Sequence, residues 1–206
     1  MVLSMATWFS ASAVLPVVRD RWELSSTSAS WLTIAVQLGF VVGAVVVAVA
    51  NLADTVAPVR LILAGSLMAA AANLGLLGVS GASGAIALRF VTGAALAGVY
   101  PPALKAMSTW FRAGRGTALG IMVGALTLGS ALPHLVNGFG GLDWQAVIVA
   151  TSATTVAGGL LAGFAFHEGP FEFPPAVFDP RQIGRLARDR GVRLASIGYF
   201  GHMWEL

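Results

Sequence analysis

The chain has 206 residues, of which 57% are hydrophobic and only 10% charged, and its mean hydropathy is +0.81. Soluble domains carry roughly a quarter charged residues, so a water-soluble fold of this composition would expose large apolar patches, and a lipid bilayer is the better solvent. The pI near 10.2 arises from basic residues in short segments between apolar runs, which sets a nucleic-acid surface aside. With no cysteine, disulfides and thiolate metal sites are excluded.

A span of the hydrocarbon needs about 20 mostly apolar residues. Six stretches qualify as transmembrane helices. The first covers residues 1–18, up to Pro16 and the charged segment Arg19–Glu23. It is short for a span and lacks a positive leading segment, so it does not read as a cleaved signal peptide; its natural beginning is expected to lie upstream. The second covers 29–51 and contains Gln37, Gly39 and Gly43. The third (58–79) follows a loop with Asp54, Pro58 and Arg60, and the fourth (84–109) follows a Gly/Ser turn. The loop Trp110–Arg115 leads to the fifth (116–137), and Gly138–Asp143 to the sixth (144–166). Residues 167–193 form a linker with four prolines and a short basic amphipathic helix at its end. Residues 194–206 begin a seventh span and stop short of its full length, so the chain reads as a fragment.

Loops after even-numbered spans hold nine Lys or Arg, among them Arg60, Lys105, Arg112 and Arg115, against Arg19 and Arg21 after odd-numbered ones. The positive-inside rule places the even loops and the linker in the cytoplasm. Three helices followed by three of similar length fit an inverted repeat.

Arg89 is the sharpest signal. A guanidinium in a membrane helix faces the bundle interior, water or a partner, and by default marks a functional site; the alternative is a side chain snorkelling to the headgroups. Arg89, Gly93, Leu96 and Tyr100 share one helix face, and that stripe could line a cavity. Pro101 and Pro102 should bend the fourth helix, as a gating joint or a static curve. Lys105 reads as an orientation-setting charge. Gly116, Gly120 and Gly124 make two overlapping small-xxx-small steps, the pattern of a close packing seam. Thr7, Ser10 and Gln37 suit interhelical hydrogen bonds, with Gln37 also open to substrate contact. His134, beside Pro133, fits a capped interfacial position. His202 and Glu205 share a face of the seventh span, as a proton-carrying site or a structural pair. The phosphate-binding loop, dinucleotide fingerprint, zinc-protease and nucleophile-elbow motifs are all absent, so no enzyme, metal site or cofactor is expected.

Three segments carry a resemblance. Arg89-Phe-Val-Thr-Gly93, an arginine with glycine four residues later, resembles the fourth-helix motif of the major facilitator superfamily. Trp110-Phe111 with Arg115-Gly116-x-Ala118-x-Gly120 resembles its loop between helices four and five. Asn51-Leu-Ala-Asp54, with Arg60 downstream, resembles its loop between helices two and three, although Ala50, Thr55 and Ala57 stand where the family has Gly, Arg and Gly. Gly120 and Gly129 have the spacing of the family's antiporter signature, but Ser130 follows Gly129 and the signature is not met. The last residues, Gly198–Leu206, resemble the start of a seventh helix in bacterial members.

The resemblance implies an all-α membrane protein: the N-terminal six-helix bundle of a transporter (a 3+3 inverted repeat), the central loop and an incomplete seventh helix. It implies a permease, symporter or uniporter, in the bacterial plasma (inner) membrane. The activity implied is secondary active, proton-coupled transport of a small solute by alternating access, with Arg89 tied to proton coupling or to holding the fourth helix in register. Asp54 would clamp against the missing C-terminal half, which with lipid and the solute is the expected partner. The competing reading is a non-transporting membrane scaffold or half-length remnant.

Overall fold

The computed structural model describes residues 2–138, 143–167, 169–171, 184 and 188–205, apart from the side chains of 132–138 and 201–205. The described residues form helices and turns and no strand. They divide into two compact units, Met1–Pro174 and Pro175–Leu206. In the first, a 3-10 turn at Leu3–Met5 opens α1 (Ala6–Arg21), followed by α2 (Ser26–Val49), a single turn α3 (Leu52–Thr55), α4 (Pro58–Gly75) extended by a 3-10 turn to Gly78, α5 (Ala82–Leu96), α6 (Tyr100–Ser108), α7 (Arg115–Gly138) and α8 (Trp144–Ala165). Four helical segments are long and apolar enough to cross a membrane: Ser26–Val49, Pro58–Gly78, Ala82–Ser108 and Trp144–Ala165.

Local chemistry sets these bounds. Helix α1 continues through Pro16 to Arg21, past the expected end, because cations are favoured in a last turn. Ser25 begins α2 by accepting from the Ser28 amide at 3.1 Å, the N-cap geometry that serines favour. Asn51, left-handed at φ 51°, ends it, as asparagine does where a helix must stop. Pro58 opens α4 at a first-turn position where its missing N–H costs nothing. The fourth span, expected as one helix, is broken at residues 97–99, and α6 restarts with Pro101 and Pro102 in its first turn. Two successive residues without an N–H cannot continue the α5 hydrogen-bond ladder.

Inside the unit α2 packs along α5, α4 against α8 and α5, and α1 against α8, α7 and α2. The α2–α5 crossing is a contact of backbones. A Cβ on Gly39 would collide with the Phe90 carbonyl oxygen, and one on Gly93 with the Val36 carbonyl oxygen. Gly43 faces Ala94 in the same way, at 2.5 Å. The valines on the opposite side of α2, such as Val41, Val45 and Val49, are exposed, as a lipid-facing surface requires.

The core is layered. One apolar cluster gathers Val14 and Val18 of α1, Leu32, Leu76, Ala85, Trp144 and Ile148. Another gathers Met5, Ile62, Ala69, Ala95, Leu96 and Val99. Between them along the helices sit most of the buried polar residues: Thr7 and Ser10 on α1, Asn73 on α4, Arg89 and Thr92 on α5, and Thr151, Ser152 and Thr155 on α8.

The second unit contains α9 (Arg190–Glu205). Asp189 caps it, its carboxylate accepting from the Val192 amide at 3.0 Å. The expected basic helix falls largely on residues outside the described ones.

Candidate functional site

The buried polar layer sets polar groups in an apolar interior, where an unpaired one is costly. Arg89 lies two turns into α5 and is 1% exposed. Its Nη1 donates to the Thr7 carbonyl at 2.8 Å, its Nη2 to the Trp8 carbonyl at 2.6 Å, and its Nε to the Leu32 carbonyl at 3.4 Å. One side chain therefore ties α5 to α1 and α2. All three acceptors are backbone carbonyls, and among the described residues Arg89 forms no ion pair. A planar guanidinium with fixed donors suits such a multi-helix clamp and stays protonated throughout the accessible pH range.

The network continues through α1. The Thr7 carbonyl that receives Arg89 is also 3.0 Å from the Ser10 hydroxyl, which reaches the Asn73 side-chain oxygen at 2.8 Å. The two amide protons of Asn73 point at three acceptors on α8: Ser152 Oγ at 3.0 Å, and Thr151 Oγ1 and the Ile148 carbonyl at 3.3 Å. Thr155 adds a bond to the Leu3 carbonyl at 3.3 Å. Arg89, Ser10 and Asn73 thus lace α1, α2, α4, α5 and α8 together. Asn73 is fully buried, and no reading of the sequence singled it out. Its isolation as the one polar side chain in the α4 run Leu67–Leu74 was the available signal.

Among the described side chains, the substrate candidates Arg89, Tyr100 and Gln37 do not converge. Within the stripe Arg89–Gly93–Leu96–Tyr100, Gly93 meets α2, Leu96 is fully buried, Tyr100 is half-buried with its ring 6.4 Å from Phe40, and Arg89 borders a small apolar cavity of about 20 Å³ with Leu32, Trp144 and Ile148. Gln37 is exposed on the outer face of α2. The side chains of His134, His202 and Glu205 lie outside the described residues. A cleft of about 460 Å³ is walled by apolar side chains such as Ile62, Val99, Met122 and Leu161, and none of the substrate candidates lines it.

Asp54 and Lys105 are partners. The Lys105 ammonium donates to the Asp54 carboxylate and to the Ala53 carbonyl at 2.7 Å, joining the α2–α4 connection to α6. Lys105 thus has a structural bond beyond its charge. Arg60 is exposed, and Arg115 Nε donates to the Phe111 carbonyl at 2.5 Å. A Cβ on Gly116, Gly120 or Gly124 would meet nothing within 4 Å. The glycine ladder is therefore not a seam inside this unit; its face is open. No cluster of metal-ligating side chains occurs among the described residues.

Residues 1–203 match the family model described as Major Facilitator Superfamily. No curated protein matches the chain.

Proposed function

Because the chain belongs to the Major Facilitator Superfamily, we propose that the membrane transport of a small solute, which membership implies in general, is here secondary active transport by alternating access, with this chain as the N-terminal six-helix bundle. The supporting observation is the pairing of helices. Exchange α1, α2 and α4 for α5–α6, α7 and α8, and each principal contact maps onto another: α2 on α5 becomes α7 on α1, α4 on α5 becomes α8 on α1, and α1 on α2 becomes α6 on α7. A 3+3 inverted repeat would give such a correspondence, which supports this reading.

In this reading the bundle rocks as one body, and Arg89 holds it together. A cation saturated by carbonyl oxygens and shut off from solvent stabilises the joint of α1, α2 and α5, and proton coupling is assigned to other groups. In this reading the membrane is a bacterial inner membrane, and the excess of basic residues in the even loops supports a cytoplasmic side for those loops and the linker. A second bundle completes the solute site, whose wall this unit supplies only in part. The test is uptake by proteoliposomes carrying the gene's complete reading frame, over a panel of small solutes with an imposed pH gradient. Saturable accumulation abolished by a protonophore supports the reading; no uptake above empty liposomes for any solute, at any gradient, overturns it.

A further inference from the structure

The linker does not begin where α8 ends. After Ala165 the chain turns back onto the α6–α7 loop and docks there through its backbone. The Gly169 amide donates to Thr109 Oγ1 at 2.7 Å, and the Phe171 amide to the Thr109 carbonyl at 2.9 Å. The Trp110 indole donates to the His167 carbonyl at 3.0 Å, and the Arg112 guanidinium lies 4.7 Å above the Phe171 ring. Thr109 is the pivot. Its hydroxyl donates to the Ala106 carbonyl at 2.7 Å while accepting from Gly169, so it joins the last turn of α6 to the returning chain. Gly169 is buried, and a Cβ there would collide with the Thr109 carbonyl and lie 2.6 Å from the Trp110 amide nitrogen. Only a residue without a side chain lets the two backbones come this close. The compact unit accordingly runs to Pro174, eight residues past the expected boundary at 166.

We propose that residues 167–171 are a latch. Docked, they make the start of the linker part of the first helical unit and hold Arg112 against Phe171. Released, they lengthen the linker by five residues, which is about 17 Å of extended chain, and free Arg112 from the Phe171 ring. The reach available to whatever the linker joins is then set by the contacts around Thr109 and Gly169. This inference goes beyond the transport reading and does not depend on it.

The experiment is amide hydrogen exchange and limited trypsin digestion of the full chain in lipid nanodiscs, for the parent, Thr109→Val and Thr109→Ser. In the parent, the Gly169 and Phe171 amides should exchange at least tenfold more slowly than in a free peptide. Thr109→Val keeps the shape but removes the acceptor; it should speed exchange at both amides and cleavage after Arg112 at least tenfold. Thr109→Ser retains the hydroxyl and should stay within twofold of the parent. Free-peptide exchange in the parent would overturn the latch whether or not the variants fold. So would a Thr109→Val variant indistinguishable from the parent, or a Thr109→Ser variant that behaves like Thr109→Val.

Discussion

The hydroxyl of Ser10 meets the side-chain oxygen of Asn73 at 2.8 Å, and through Asn73 the Thr151 and Ser152 hydroxyls of α8 are joined to the groups that hold Arg89. Asn73 reaches α8 on its other side, so it bridges two helices that flank α4. Interhelical hydrogen bonds in membrane proteins average about 0.6 kcal/mol, with a maximum near 1.7. Asn73→Leu should therefore cost about 1–2 kcal/mol. Because Ser10 and Asn73 share a bond, the double variant with Ser10→Ala should cost at least about 0.5 kcal/mol less than the sum of the single variants. Reversible unfolding in mixed micelles measures both; strict additivity would mean that the two side chains act independently.

The α2–α5 crossing makes a sharper prediction. Gly93 has the Val36 carbonyl where its Cβ would be, whereas Gly120 has nothing within 4 Å. Gly93→Val should cost about 3 kcal/mol by forcing the helices apart, while Gly120→Val should stay within about 0.5 kcal/mol, as surface changes do. Thermal unfolding of the two variants in the same detergent compares them directly. Equal losses would contradict the crossing described here.

The Lys105–Asp54 pair joins the α2–α4 connection to α6 at the edge of the bundle, with side-chain exposures of 30% and 17%. Partly hydrated pairs contribute little, so Lys105→Ala should cost no more than about 1 kcal/mol, and the cost should shrink as salt is raised. Unfolding measured at low and high ionic strength checks this.

Much of the architecture could be read from the sequence, because apolar runs of span length and the glycine or charge between them act locally. The buried position of Arg89 followed from its cost in lipid. What it touches did not, since its acceptors are backbone carbonyls of Thr7, Trp8 and Leu32, and a carbonyl leaves no mark in a sequence. Asn73 escaped notice for a related reason: one amide in an apolar run carries no motif, and its partners lie on helices 63 and 79 residues away. Arg89, Gly93 and Leu96 share one helix, but the break at residues 97–99 puts Tyr100 on the next one, and periodicity says that a face exists and not whether it meets water or another helix. The glycines of α7 show the same limit, since small-residue spacing reads alike for a face that is packed and one that is open. The docking of Gly169 on Thr109 depends on a chain reversal across 60 residues, which no local pattern encodes.

The central claim is that Arg89 is a permanently charged clamp buried among carbonyls, and the direct measurement is the unfolding free energy of the parent, Arg89→Lys and Arg89→Ala in bicelles from pH 5 to 9. Removing the clamp leaves buried carbonyls unpaired and a void, so Arg89→Ala should lose about 3–5 kcal/mol. Arg89→Lys should fall between, because an ammonium is a point charge that cannot copy the planar fork. Both losses should be the same at every pH, since the guanidinium stays protonated across the range. An Arg89→Ala variant as stable as the parent, or a loss that appears on only one side of a titration within that range, would contradict the account.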